Sequence, residues 1–239
     1  MKAVYGPVRS WRLGLAMGVD PICKQPKVCN LKCIYCRLGH GGIMITERSR
    51  FVDEKQVQEE ARELLKTVKI DAVMLQGTGE PFLAKNLIDI VHALREETDM
   101  PICVMTNGSF FNREGILDEL NEFDMVIVKL DAADPVCFSM MNRPHGSIIF
   151  EDLVESLKKA KRQCTCDLRI QVTFVRANMY QAEQIADICR DIGVDVVYLS
   201  TPVRKEGMDL NKKDMNDLAA IFNGFKVRTI FDERSADTS

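Results

Sequence analysis

An α/β fold of mainly parallel strands, curled into a partial (β/α)6 TIM-type barrel, is what this sequence predicts. Three observations predict it. Apolar runs of strand length alternate with amphipathic helical stripes along most of the chain, and such alternation sets parallel strands side by side with helices packed outside them. No Pro/Gly/Ser-rich linker divides the 239 residues, so they read as one domain spanning 1–239 with a polar tail from about 232. Two strands are also two-faced. Leu168, Ile170, Val172 and Phe174 share one side and Arg169, Gln171 and Thr173 the other, while Val126, Val128 and Leu130 oppose Ile127, Lys129 and Asp131. A sheet covered by helices on both sides reads apolar on both faces. One polar face predicts a wet lumen instead.

The elements follow in order. Leu13 to Val19 reads as a first strand leading into a cysteine loop, and Gly39, Gly41 and Gly42 mark a flexible exit. Asp53 is a helix N-cap with Gln56 three residues on, and Val57, Ala61, Leu64, Leu65 and Val68 form the apolar stripe behind it. A buried strand from Asp71 then ends at Gly77-Thr78-Gly79-Glu80-Pro81. Leu87, Ile90, Val91 and Leu94 define the next helix, and Pro101 to Met105 a strand ending in Thr106-Asn107-Gly108. Ile116, Leu117, Leu120 and Phe123 give a helix before the strand Met125 to Leu130, which ends at Asp131. Leu153, Val154, Leu157 and Ala160 precede the strand from Leu168 to Val175. The stripe of Ala182, Ile185, Ala186, Cys189 and Ile192 precedes Val194 to Ser200 and Thr201-Pro202. Leu218, Ile221 and Phe222 belong to a last helix, with Val227 to Phe231 as a terminal strand.

Composition excludes several classes. With 46% hydrophobic and 28% charged residues the chain is an ordinary globular sequence. No apolar run approaches the ~18–20 residues that span a bilayer, and the opening MKAVYGPVRSW lacks a signal-peptide core. A cytoplasmic location without a membrane partner is therefore expected. The net charge of −3 gives no global drive toward nucleic acid. Lys158, Lys159, Lys161 and Arg162 cluster at a helix C-terminus, where cations complement the helix dipole.

Chemistry concentrates at Cys29, Cys33 and Cys36, a C-x3-C-x2-C spacing in one short loop. Closely spaced thiolates hold iron–sulfur clusters, and three protein ligands rather than four leave one position open for a substrate. Disulfides, plain burial and a partial zinc site are the other readings, although a structural zinc site shows a second C-x2-C pair. Among the spare thiols, Cys103 and Cys189 fall on core positions, and no auxiliary cluster is expected from Cys23, Cys137, Cys164 or Cys166. Glycine-rich and polar segments close successive strands, at the end of a parallel barrel where ligands bind. There Gly77 and Gly79 allow close backbone approach beside the Glu80 carboxylate, and Asn107 and Asp131 are further cofactor-binding candidates. Lys129, Arg169 and Gln171 face inward as substrate-side candidates, with Arg143 and His145 in a loop beyond. His40 and His92 read as structural or exposed.

With Tyr35 directly before the third cysteine, this motif resembles that of the radical S-adenosylmethionine (SAM) superfamily. The resemblance implies a [4Fe–4S] cluster on Cys29, Cys33 and Cys36, its open iron chelated by the amino and carboxylate groups of SAM. It also implies Tyr35 near the adenine, and Gly77, Gly79 and Glu80 receiving the methionyl amine. The segments Tyr5-Gly6-Pro7-Val8, Arg12-Leu13-Gly14, Thr106-Asn107-Gly108-Ser109, Leu130-Asp131-Ala132-Ala133-Asp134, Asn142-Arg143-Pro144-His145 and Thr201-Pro202-Val203-Arg204 are similar to the short wyosine-synthase-like branch. The implied reaction is reductive cleavage of SAM to a 5′-deoxyadenosyl radical that abstracts hydrogen from an unidentified small molecule, tRNA or protein. A one-electron donor such as ferredoxin or flavodoxin is the implied partner. Wyosine-type tRNA modification, glycyl-radical activation of a partner protein, and a non-catalytic metal-binding regulatory module are the alternatives.

Overall fold

Alternation of apolar residues along each strand decides which side faces the helices, and the chain builds its layers accordingly. It is seen in a computed structural model that describes residues 1–39, 41–202 and 209–232. His40, Val203 and Arg204 and the tail beyond 232 lie outside the described residues.

The elements are β1 (Val4–Ser10), β2 (Gly14–Val19), β3 (Val28–Cys29), β4 (Ile43–Met44), α1 (Glu54–Leu65), β5 (Ala72–Leu75), α2 (Leu87–Arg95), β6 (Ile102–Thr106) and α3 (Ile116–Leu120). They continue as β7 (Met125–Lys129), α4 (Pro135–Asn142), α5 (Phe150–Gln163), β8 (Asp167–Thr173), α6 (Ala182–Ile192), β9 (Val196–Ser200), α7 (Lys212–Ile221) and β10 (Lys226–Thr229). An eight-stranded sheet runs β1-β2-β5-β6-β7-β8-β9-β10, parallel throughout except for the antiparallel β1–β2 hairpin, and curls into a partial barrel. β3 and β4 pair separately within the cysteine loop.

The alternating order is as predicted, with three differences. β1 reads Val-Tyr-Gly-Pro-Val-Arg-Ser, in which Gly and Pro obscure a strand pattern. Glu60 on α1 accepts hydrogen bonds from the Ala3 and Val4 amides at 2.8 and 2.9 Å, so packing rather than propensity places that strand. The first parallel strand also does not run straight into the cysteines, because residues 20–27 intervene between β2 and β3. Finally, α4 was not legible as a helix. Asp134 caps it by accepting from the Cys137 amide at 2.8 Å, and Pro135 occupies its first turn.

Asp53 does cap α1, accepting from the Lys55 amide at 2.9 Å, whereas the Gln56 side chain turns forward to Glu60. The basic run on α5 is spent on surface ion pairs: Lys158 with Asp191, Lys161 with Asp195 and Arg162 with Glu155.

The two strand faces separate as alternation requires. Val73, Leu75, Val104, Val126, Val128, Ile170, Val172, Val197 and Leu199 pack under the helices. Ala72, Met74, Cys103, Ile127 and Tyr198 form a second cluster on the inner face, joined by Trp11, Leu13, Met105 and Met125. This corrects the expectation of a wet lumen. Apolar bulk fills the floor, where Trp11, Leu13 and the large Tyr198 ring pack together, with Trp11 edge-on to Tyr198 at 5.5 Å and the Arg12 and Arg169 guanidinium groups against those two rings.

Candidate cofactor and metal centre

The cysteine loop is held by main chain on both sides. On one side the Val28 amide donates to Thr78 O (3.0 Å) and Val28 O accepts from the Glu80 amide (3.2 Å), extending the strand end into the loop. Gly79 is required here, since a Cβ would overlap the Val28 carbonyl oxygen. Behind it, buried Asp20 accepts from the amides of Ile22, Cys23 and Thr78 at 2.9–3.0 Å, and a Cβ at Gly77 would overlap its carboxylate. On the other side Lys32 N reaches Asn142 O (3.0 Å), Ile34 N reaches Met141 O (2.9 Å) and His145 N reaches Asn30 O (2.9 Å). The segment 142–145 thus acts on the loop through its backbone. Arg143 is exposed with a left-handed φ of 45° at the C-cap of α4, and the His145 ring pairs with Ser147 Oγ at 2.9 Å.

All nine cysteines are free thiols. Each sulfur of the motif receives one N–H donor from a different source. The Leu31 amide points to Cys29 Sγ (3.5 Å), Asn142 Nδ2 to Cys33 Sγ (3.4 Å) and Lys27 Nζ to Cys36 Sγ (3.2 Å). Burial pushes the Cys29 thiol up to about 12, reinforced by the Glu80 charge, and raises Cys33 as well, with Asp131 adding to it. A bound cation is what would return such thiols to thiolates. Among the described residues no three His, Cys, Asp or Glu side chains are grouped as a site for a single metal ion. N–H donors on all three sulfurs fit thiolate ligands of an iron–sulfur cluster. Of the spare thiols, Cys103, Cys137 and Cys189 are buried, and burial pushes Cys103, Cys166 and Cys189 up to about 12.

Glu80 is only 2% exposed. It accepts from Thr106 Oγ1 (2.6 Å), the Asn107 amide (2.8 Å) and the Phe82 amide (3.2 Å). Burial pushes its carboxyl up to about 7, with those hydrogen bonds pulling the other way. No Lys, Arg or His among the described residues pairs with it, so a cationic ligand group would find its acceptor ready. Asn107 Nδ2 donates to Asn30 Oδ1 (2.7 Å), and Asn30 in turn to Ser109 Oγ (2.6 Å), which ties this strand end to the cysteine loop.

Asp131 is the second hub. It accepts from the Tyr35 hydroxyl, from Asn142 Nδ2 (3.1 Å) and from the Thr173 amide (2.6 Å), with Lys129 Nζ at 3.4 Å. Lys129 also donates to Thr173 Oγ1 (2.6 Å) and lies 4.7 Å from the Tyr35 ring centroid. Burial first, then Asp131, raises the Tyr35 phenol well above its ordinary value, so it stays a donor. Gln171 is paired in register with Lys129 and Tyr198, is 5% exposed, and its Oε1 has no partner among the described residues. Arg169 is drawn instead to Asp167 (2.6 Å) and the Tyr198 hydroxyl. His92 pairs with Glu122 on the surface.

The structure therefore brings Cys29, Cys33, Cys36, Tyr35, Gly77, Gly79, Glu80, Asn107, Asp131 and Lys129 to one end of the barrel. Sequence reasoning missed Lys27, Asn30 and Asn142. Lys27 had no local signal: it precedes β3 and its bond runs across the loop to Cys36. The other two depend on tertiary pairing.

A family model described as the Radical SAM superfamily matches residues 26–170. The UPF0026 protein slr1464 of Synechocystis sp. is 33% identical over 169 residues, covering 71% of this chain and 63% of that one. GTPase Obg of Brachyspira hyodysenteriae is 31% identical over 220 residues, covering 90% of this chain but 32% of its own length. A solved structure described as TYW1 with a lysine-pyruvate adduct bound superposes with a TM-score of 0.65 at 15% identity, covering 89% of this chain and 75% of that one. The chain spans 32% of the Obg relative's length, 63% of the Synechocystis relative's and 64% of that of a further UPF0026 protein from Methanocaldococcus jannaschii.

Proposed function

This chain belongs to the radical SAM superfamily, and on that premise we propose that it is a [4Fe–4S] enzyme that cleaves S-adenosylmethionine to take hydrogen from a substrate held in the barrel mouth. The observation that carries the reading is the loop of three thiols, each with its own N–H donor, near a buried carboxylate, Glu80, that no cation among the described residues pairs with. The cluster, held by Cys29, Cys33 and Cys36, would supply one electron for reductive cleavage of a SAM C–S bond. The protein's own contribution is positioning and exclusion of water.

Cys29, Cys33 and Cys36 would hold the cluster. Glu80 would take the methionyl ammonium, with Gly77 and Gly79 letting the backbone approach. Tyr35, locked by its hydroxyl, would present its ring at the adenine side. Asn107 and Asp131 would serve ribose or methionyl groups, and the unpartnered Gln171 beside Lys129 would meet a polar group of the substrate. A low-potential one-electron donor of the ferredoxin or flavodoxin kind is the partner this reaction needs.

Anaerobically reconstituted protein should carry about four irons per chain on its three-thiolate site. With dithionite and SAM it should form 5′-deoxyadenosine, and Cys29→Ala should form none. Stoichiometric zinc in place of iron, or a loaded wild type that leaves SAM intact, overturns the reading.

A further inference from the structure

Lys27 is 6% exposed, yet among the described residues it has no carboxylate within ion-pair distance. Its one hydrogen bond there is to Cys36 Sγ at 3.2 Å, and its charge also acts on Cys29. Its stem is pinned from outside, because a Cβ at Gly42 would overlap the Lys27 side chain and carbonyl, and Lys27 O accepts from the Ile43 amide at 2.8 Å. It lines a cavity of about 250 Å³ with Lys24, Gln25, Pro26, Leu38, Gly41 and Thr78, so the space beside it is otherwise free of acid.

A buried ammonium without a counter-charge is costly, and proteins keep one where a ligand supplies the negative partner. The donors on the other two sulfurs are neutral amides. Among the described residues Lys27 is the cation hydrogen-bonded to a thiol of the loop, whereas Lys129 acts on Cys33 through its charge without such a bond.

We propose that Lys27 is a positioning residue for the cluster's redox state: its charged N–H···S bond to Cys36 stabilises the reduced form and makes the first electron easier to accept. The inference rests on the cluster assignment above. The physical basis is that a three-thiolate [4Fe–4S] centre becomes more negative by one charge when it accepts one electron from a low-potential donor. No bond forms or breaks in that step. A fixed cation therefore favours the reduced state, and hydrogen bonds to the sulfurs and net charge are what set cluster potentials.

The test is an EPR-monitored redox titration of reconstituted wild type, Lys27→Met, Lys27→Gln and Lys27→Arg, with iron content measured on each. At the potential where wild type is half reduced, Lys27→Met should show a reduced-to-oxidised ratio about tenfold lower, a midpoint shift of ~59 mV for one electron. Lys27→Arg should restore it, and Lys27→Gln, a neutral donor, should fall between. Should the methionine variant fail to hold iron, the ordering of Arg above Gln remains the deciding measurement. Equal midpoints for all iron-bearing variants overturn the proposal. A wild type that holds the cluster but leaves SAM intact defeats the proposed reaction and leaves the titration standing. An unshifted midpoint in variants of a SAM-cleaving wild type defeats the role of Lys27 alone.

Discussion

The two ends of the barrel lumen are built on the same strands and do opposite work. At the N-terminal end Met74, Cys103, Ile127 and Tyr198 close the interior with Trp11 and Leu13, and the polar groups there, Arg12 and Arg169, lie against the aromatic rings. At the C-terminal end Glu80, Asn107, Asp131 and Gln171 are just as buried but polar, and Asn107 and Asp131 hydrogen-bond to the cysteine loop. The difference teaches that burial here has two uses. At the floor it supplies packing energy. At the rim it removes water from polar groups, which strengthens their electrostatics and raises the Cys29, Cys33, Tyr35 and Glu80 ionisations together.

Substitutions at either end can sharpen that contrast or break it. The largest effect should come from Cys33→Ser, with iron falling to background and SAM cleavage with it, while the far-UV circular dichroism stays native. Retention of a full cluster would mean that Cys33 is not a ligand. Next, Tyr198→Ala should cost ~3–5 kcal/mol in denaturant unfolding, as emptying a large core site does, with iron per folded chain unchanged. Iron loss at unchanged stability would erase the distinction between floor and rim. Asn142→Ala removes the donor shared by Cys33, Tyr35 and Asp131. It should weaken cluster retention about 10–100-fold in chelator challenge, in line with other residues that orient metal ligands.

A pH test addresses Glu80. The unfolded chain releases this proton near the ordinary 4.5, whereas the folded protein holds it until about 7. The folded state thus binds more protons between those values, and stability should fall as pH rises through that window and level off above it. Glu80→Gln should flatten the slope in ligand-free protein, and a slope of unchanged size would locate the titration elsewhere. The smallest effect belongs to the exposed surface. Breaking the Arg50–Glu54 pair by Arg50→Ala should change stability by ~0.5 kcal/mol or less and leave SAM cleavage intact.

Much of this was open to sequence reading, and the reasons are local. The period-2 pattern of β8 sorted Leu168, Ile170 and Val172 from Arg169, Gln171 and Thr173 correctly, because the pleat enforces it. The same pattern could not say how high in the lumen a polar side chain ends. Arg169 reaches Asp167 and Tyr198 rather than the rim, a choice made by a neighbour on its own strand and a partner brought from β9. The Gly77 and Gly79 positions were visible as a glycine pair, but their reasons, Asp20 and the Val28 carbonyl, come from segments about fifty residues earlier.

By itself the sequence determined the alternation of strands and helices, the three-cysteine loop and the strand-end carboxylate, since periodicity and motif spacing are properties of neighbouring residues. Only the tertiary structure decided that Asn142 and Lys27 attend the sulfurs, that Tyr35 leans on Asp131, and that apolar side chains fill the floor. Those are contacts among segments widely separated in sequence or reversed by a turn, and the curl of the sheet is what brings them within hydrogen-bonding distance.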